Sequence, residues 1–301
     1  MKPGLSGSPS SAPRPTLRRC GPRSSVRLSE LGELGLLAEL ERRGLAERIE
    51  DDAAELEPGL VVTQDSLVEG VHFRFDLLSW RELGFRAAAV NISDLAASGA
   101  RPEALLVSLG LPGETDLDDV LAFYAGIAEA GVAVRGGDTT EAASVFAAVT
   151  AIGRAERVPG RSGARPGDVL VVTGPLGAAG AAFREGRFVR PPSRVEEGVE
   201  LARDAHAMLD LSDGLARDAE HIAARSECRL TIELEQVPLA PGATHEDLGF
   251  GEDYELLAAT PDPREFTVIG RCEPGSGVKI RLEGRPVALS GWEHFRLREA
   301  R

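Results

Sequence analysis

Cysteine is scarce in this sequence: Cys20, Cys228 and Cys272 are the whole set. Their spacing fits neither a metal-ligand nor a redox motif and supplies no disulfide framework, which suits a reducing cytoplasm. Long apolar runs are also missing. The longest, residues 104–111 and 145–152, fall far short of the ~20 needed to cross a bilayer, so no membrane span is expected. Residues 1–26 are rich in Ser, Pro, Gly and Arg without a hydrophobic core, and none follows Arg18-Arg19. That argues against secretory and twin-arginine signals. Transit peptides share this Arg- and Ser-rich, acid-poor make-up, but the reading adopted is a disordered tail or an early start codon. The sequon Asn91-Ile92-Ser93 lies in an apolar segment of a chain with no export signal and is set aside. No G-x-x-x-x-G-K-[ST] occurs, which excludes a P-loop.

Basic charge is sparse beyond the first segment. Lys2, Arg14, Arg18, Arg19, Arg23 and Arg27 are unaccompanied by acids over residues 1–29, so all 48 acidic side chains fall in the rest. A body this acidic is a poor nucleic-acid binder, because phosphate backbones need a basic surface. It also repels nucleotides unless cations intervene.

What is present is an alternation of helix and strand. Leu at helical spacing predicts a helix over 27–48, with Ser29 as N-cap and a capping-box Glu. A strand is expected over 60–64, ending at Asp65, and a helix over 81–98 with Gly99 beyond its end. Strands follow at 104–109, 132–135 and 145–152, with a helix at 117–130. The turn-rich stretch 157–167 marks a domain junction. Beyond it come a strand (168–173), helices (177–185, 193–205), a strand (207–211), a helix (215–226) and strands (229–234, 255–259, 267–271, 278–282). The pattern gives a mixed α/β protein of two domains, residues 27–157 and 158–301.

The chemistry-bearing signal is a series of acids at element ends. Asp51-Asp52 precede a strand, Asp65 ends one, Asp94 interrupts an apolar run, Asp138 sits in Gly-Gly-Asp-Thr-Thr, and Asp210 and Asp213 flank Ser212. Each alone is compatible with capping or turn formation. Asp94 and Asp210, however, lie in apolar surroundings where an unpaired charge is costly, and glycines beside Asp138 and Asp213 let another group approach the backbone. Mg²⁺ takes oxygen ligands, one or two carboxylates per ion, with phosphate and water completing the shell; acids delivered to one edge could hold several ions. Gly174–Gly180 follows a strand and opens a helix, but Pro175 replaces a glycine that a phosphate-binding turn needs, so a tight packing turn is preferred. Arg161 is the best phosphate partner, since guanidinium meets phosphate bidentately.

Taken in order, RLSELGELGLL (27–37), DDAA (51–54), VTQDSLVEGVHF (62–73), AVNISDLAASGARP (89–102), RGGDTT (135–140), GRSGARPGD (160–168), LDLSDGLARD (209–218), GEDYELL (251–257) and GWEHF (291–295) resemble the thiamine-monophosphate kinase family. That family sits within the aminoimidazole-ribonucleotide-synthetase-like superfamily. The resemblance runs from about Arg27 to Phe295. It implies a two-domain α/β protein, a homodimer through its N-terminal domain, with ATP and thiamine monophosphate as partners and Mg²⁺ as cofactor. It also implies roles: Asp52, Thr63, Gln64, Asp65, Asp94, Asp138, Asp210 and Asp213 at metal positions; Tyr124, Gly137, Asp138, Arg161 and Ser212 at ATP positions; His72, Glu252 and Trp292 at the thiamine-phosphate end. No protein nucleophile or base is expected.

Two departures from the family pattern bear on the metal positions. Glu50 replaces a glycine before the Asp pair, and Gln64 replaces a hydroxyl residue. The segment 237–251 is also short. The rival readings are a sister enzyme with another phosphorylated acceptor, or a silent nucleotide- or thiamine-phosphate-binding protein. Cys20 lacks the neighbours of a selenophosphate-synthetase loop, and the chain ends Glu299-Ala300-Arg301 rather than in the cysteine of a hydrogenase-maturation relative.

Overall fold

The computed structural model describes residues 26–292 except Arg48 and Glu50, and leaves out the side chain of Leu34. Residues 1–25 of the tail, Glu50 and residues 293–295 of the last motif therefore lie outside the described residues. Helix α1 (Leu28–Arg42) starts from Arg27 with no side-chain cap and is interrupted at Gly32 (φ 70°). The Ser29 capping box does not form, because the residue three places on is that glycine, which has no side chain to reach back.

The first half is built on a five-stranded sheet. Its strands are β1 (Ala54–Glu57), β2 (Leu60–Val68), β3 (Arg101–Leu111), β4 (Val134–Glu141) and β5 (Phe146–Arg154), in the order β1-β2-β5-β3-β4. Only the β3–β4 pair is parallel. The sequence did not reveal β1. Strand β2 also runs past Asp65, because Asp65, Ser66, Leu67 and Val68 all find partners on β5. In the same way β4 continues through Asp138, its two glycines held in register by β3.

Helices α2 (Trp80–Ala97) and α3 (Leu117–Glu129) cover one face. The Ser79–Glu82 capping box opens α2, a feature worth about 1 kcal/mol. Leu83, Leu95, Phe123 and Ile127 then pack onto Leu105, Leu109 and Val149 of the sheet, each contributing ~1.5–3 kcal/mol by burial.

The second half is a seven-stranded sheet of β6 (Val169–Val172), β7 (Ala207–Asp210), β8 (Arg229–Glu233), β9 (Leu256–Thr260), β10 (Thr267–Glu273), β11 (Gly277–Leu282) and β12 (Arg285–Pro286), ordered β12-β11-β8-β10-β6-β9-β7. Helices α4 (Ala178–Arg184), α5 (Val195–Leu201) and α6 (Leu215–Ser226) connect its strands. Cys228 and Cys272 are buried there as free thiols.

The halves meet through α2. Its Ala96 and Ala97 pack against Leu201, Ala202, Met208, Leu256 and Ala258, and small side chains let the backbones come close. Gly198 of α5 lies so near that a Cβ would stand 2.1 Å from Ala96 O. The consequence is that α2, itself almost wholly buried, has one face on the first sheet and another on the second.

Candidate active site

The two faces of α2 collect acids from both halves. Toward β2, the Asp65 backbone N–H donates to Asn91 Oδ1 (2.9 Å), while Asn91 Nδ2 donates to Ala87 O (2.9 Å). Asn91 is fully buried, so its place in a glycosylation sequon has no consequence. One turn on, Thr63 Oγ1 lies 2.6 Å from Asp94 Oδ2 and 3.0 Å from Asp52 O. Toward the second sheet, Ser93 Oγ donates to Asp210 Oδ2 at 2.5 Å, at the end of β7. Arg161, from the segment joining the halves, donates to Asp52 Oδ1 through Nη2 (2.5 Å) and Nε (3.2 Å), and its N–H donates to Asp51 Oδ1 (2.7 Å).

Carboxylate oxygens of Asp52, Asp94 and Asp210 thereby come within 4.8 Å of one another. The electrostatics record the crowding. Burial, then repulsion from Asp65, Asp210 and Asp52, raises Asp94 well above the ordinary carboxylate range. Burial and Asp52 push Asp210 up to about 8, against the Ser93 hydrogen bond. Burial also raises Asp52 in spite of Arg161. Three hard oxygen donors converging in a site that disfavours their charge fit a divalent cation such as Mg²⁺.

The other predicted residues are spread more widely. Gln64, one residue from Thr63 in a strand, points to the opposite face, where its Oε1 accepts from Thr150 Oγ1 (2.9 Å); it does not join the acids. Asp138 is on β4, three strand spacings from β2, or ~14 Å. There it lines an open pocket of about 360 Å³ with Tyr124, Gly137, Val107 and Val134. Tyr124 packs edge-on against Phe123 (5.5 Å).

Asp213 lies with Asp218 and His221, their ligand atoms within 4.8 Å of each other. Ser212 O accepts from Glu252 N (2.8 Å), and Asp213 O accepts from Trp292 N (2.9 Å), which draws two of the three residues expected at the thiamine-phosphate end onto the Asp210–Asp213 loop. His72 follows β2, and its Nδ1 accepts from Val68 N–H (3.0 Å), leaving the ring proton on Nε2.

Three contributors were not legible in the sequence. Asp218 is buried, and its Oδ2 accepts from the N–H groups of Asp213 and Gly214 (3.0 Å each), fixing the loop that carries Asp213. Asp253 accepts from Gly177 N (2.7 Å) and Ala179 N (3.3 Å). The start of α4, considered for phosphate, thus holds a carboxylate of the chain itself. Arg86, buried in α2, donates from Nη2 to Glu252 Oε1 at 2.6 Å.

The family model for the N-terminal domain of AIR synthase related proteins matches residues 50–155, and that for the C-terminal domain matches residues 165–274. The thiamine-monophosphate kinase of Aquifex aeolicus is 34% identical over 309 residues, spanning 90% of this chain and 100% of that protein. That of Methanopyrus kandleri is 37% identical over 262 residues, 77% of this chain and 84% of the relative. Among solved structures, AaThiL complexed with AMPPCP and TMP aligns with a TM-score of 0.81 at 32% identity, covering 90% of this chain and 100% of that one.

Proposed function

Because the chain belongs to the thiamine-monophosphate kinases of the AIR synthase related family, we propose that it transfers the γ-phosphoryl group of ATP to the phosphate of thiamine monophosphate, giving thiamine diphosphate and ADP. The observation that carries this reading is the convergence of Asp52, Asp94 and Asp210 from three separate segments. Together with Asp65, Asp138 and Asp213 they are the residues that would hold Mg²⁺. Bound there, Mg²⁺ supplies neutralisation of the phosphate charge gathered between donor and acceptor.

The chain's own part is positioning. Asn91, Thr63 and Ser93 steady Asp65, Asp94 and Asp210, and Asp218 steadies the Asp213 loop. In this reading Tyr124 and Gly137 offer a face for the adenine ring, and Arg161 and Ser212 serve the phosphates. Glu252, His72 and Trp292 receive the cationic acceptor, with Trp292 able to stack on its ring at ~0.5–2 kcal/mol. The attacking oxygen belongs to a phosphate that is already anionic, so no side chain serves as base and no covalent enzyme intermediate forms.

We assign residues 27–157 to a nucleotide- and metal-binding domain and 158–301 to a second α/β domain. The sheet face turned away from α2 bears Val62, Leu106, Ala148 and Ile152, with Leu106 37% exposed. This supports pairing of two copies through that face. Among the described residues no helix is long and apolar enough to cross a membrane, and we place the protein in the cytoplasm. The test is purified protein with ATP, Mg²⁺ and thiamine monophosphate, following thiamine diphosphate by chromatography. Product that disappears with EDTA supports the reading; a folded protein that binds ATP yet makes none refutes it.

A further inference from the structure

Arg86 sits two turns before Asp94 on α2, ~12 Å along the helix axis. It is buried to 6% side-chain exposure, whereas its partner Glu252 keeps 34% of its side chain open. The buried Tyr254 side chain lies close enough to Arg86 to interact with it electrostatically. Both partners stand in left-handed backbone, Glu252 at φ 61° and Tyr254 at φ 52°, which costs ~1–2 kcal/mol per non-glycine residue.

The chain around them is tied down at several points. Glu252 N donates to Ser212 O and Tyr254 N to Leu211 O. Asp253 is held at the start of α4. Gly251 passes so close to the Asp210–Asp213 loop that a Cβ would lie 2.3 Å from Ser212 O. These contacts fix the backbone of residue 252. They leave the direction of its carboxylate open, and Arg86 sets that direction from the other half of the molecule. A buried guanidinium is costly and is repaid only by good partners. Strain that persists beside a functional group is a sign of pre-organisation.

We propose that Arg86 is a positioning residue that aims the Glu252 carboxylate at the acceptor's cationic ring, and so sets the preference for a positively charged acceptor. This rests on the proposed phosphoryl transfer to thiamine monophosphate. Helix α2 then fixes both ends of the acceptor site, its phosphate end through Ser93 and Asp94 and its ring end through Arg86.

Steady-state kinetics of wild type, Arg86→Met, Arg86→Lys, Glu252→Gln and the Arg86→Met/Glu252→Gln double variant test this. Arg86→Met should raise KM for thiamine monophosphate about tenfold, the scale of one charge-assisted hydrogen bond, with KM for ATP within about twofold. It should also reduce discrimination against an uncharged analogue whose quaternary ring nitrogen is replaced by carbon. Arg86→Lys, which keeps the buried charge, should fall between the two and covers the case in which Arg86→Met fails to fold. In the Glu252→Gln background the Arg86 substitution should add little, because the two act as one unit. An acceptor KM unchanged in Arg86→Met or Arg86→Lys, parallel loss of ATP affinity, or full additivity with Glu252→Gln overturns the inference. Absence of turnover by the wild type would instead overturn the functional reading on which it rests.

Discussion

Asp253 provides a prediction whose size follows from the structure. Its carboxyl is buried and is pushed up to about 6, with burial outweighing the N–H groups of Gly177 and Ala179 that favour the charge. A carboxyl raised from its unfolded value of 3.8 binds its proton more tightly in the folded state. Between pH 4 and 6 the folded chain therefore carries more proton than the unfolded one, and stability falls as pH rises through that window. Raising the carboxyl from 3.8 to about 6 corresponds to ~3 kcal/mol in all, most of it lost between pH 4 and pH 7. Other buried acids titrate as well, so the informative quantity is a difference. Urea denaturation in EDTA at pH 4, 5, 6 and 7, for wild type and Asp253→Asn, should show the wild type losing ~2 kcal/mol more than the variant from pH 4 to pH 7. Parallel pH profiles for the two proteins would refute the argument that Asp253 is ionised at a cost in order to hold its loop.

Three further outcomes follow from the same geometry. Asp94→Asn should abolish turnover and the Mg²⁺-induced rise in melting temperature, yet leave metal-free stability at pH 7 unchanged or higher, since it removes a repelled acid; differential scanning fluorimetry with and without Mg²⁺ reads both. Tyr124→Ala should raise KM for ATP up to about tenfold, the scale of an aromatic stacking contact, with KM for the acceptor unchanged in steady-state assays. Gly198→Ala must push α5 away from Ala96 O and should cost ~1–3 kcal/mol in urea denaturation, with a fall in kcat as Asp210 moves relative to Asp94.

Much of this architecture could be read from spacing alone, because local pattern sets local structure. The apolar run and Gly99 delimit α2, and the helix over 215–226 was delimited to the residue. Where pairing decides, the sequence was less informative. Strands β2 and β4 extend through Asp65 and Asp138 because neighbouring strands hold them, a non-local effect that overrides the breaking tendency of Asp and Gly. The acids at element ends were visible as a group. Their sorting was not: strand alternation turns Gln64 away from Thr63, and the strand order sets Asp138 apart in the Tyr124 pocket. The roles of Arg86 and Asp253 were not legible in the sequence, although Asp253 lies within the GEDYELL stretch. Their partners lie 166 and 76 residues away, and one Arg in a helix or one Asp in a loop looks like a surface residue until the fold brings its partner to it.

The most direct test is a crystal structure of the protein with Mn²⁺, a non-hydrolysable ATP analogue and thiamine monophosphate, with the metal located by anomalous scattering. The account predicts a metal bound by the carboxylates of Asp52, Asp94 and Asp210, between the nucleotide's terminal phosphate and the acceptor's phosphate, with Glu252 at the ring end of the acceptor. Nucleotide and acceptor bound with no metal on those three carboxylates, or with their phosphates held far apart, would contradict it.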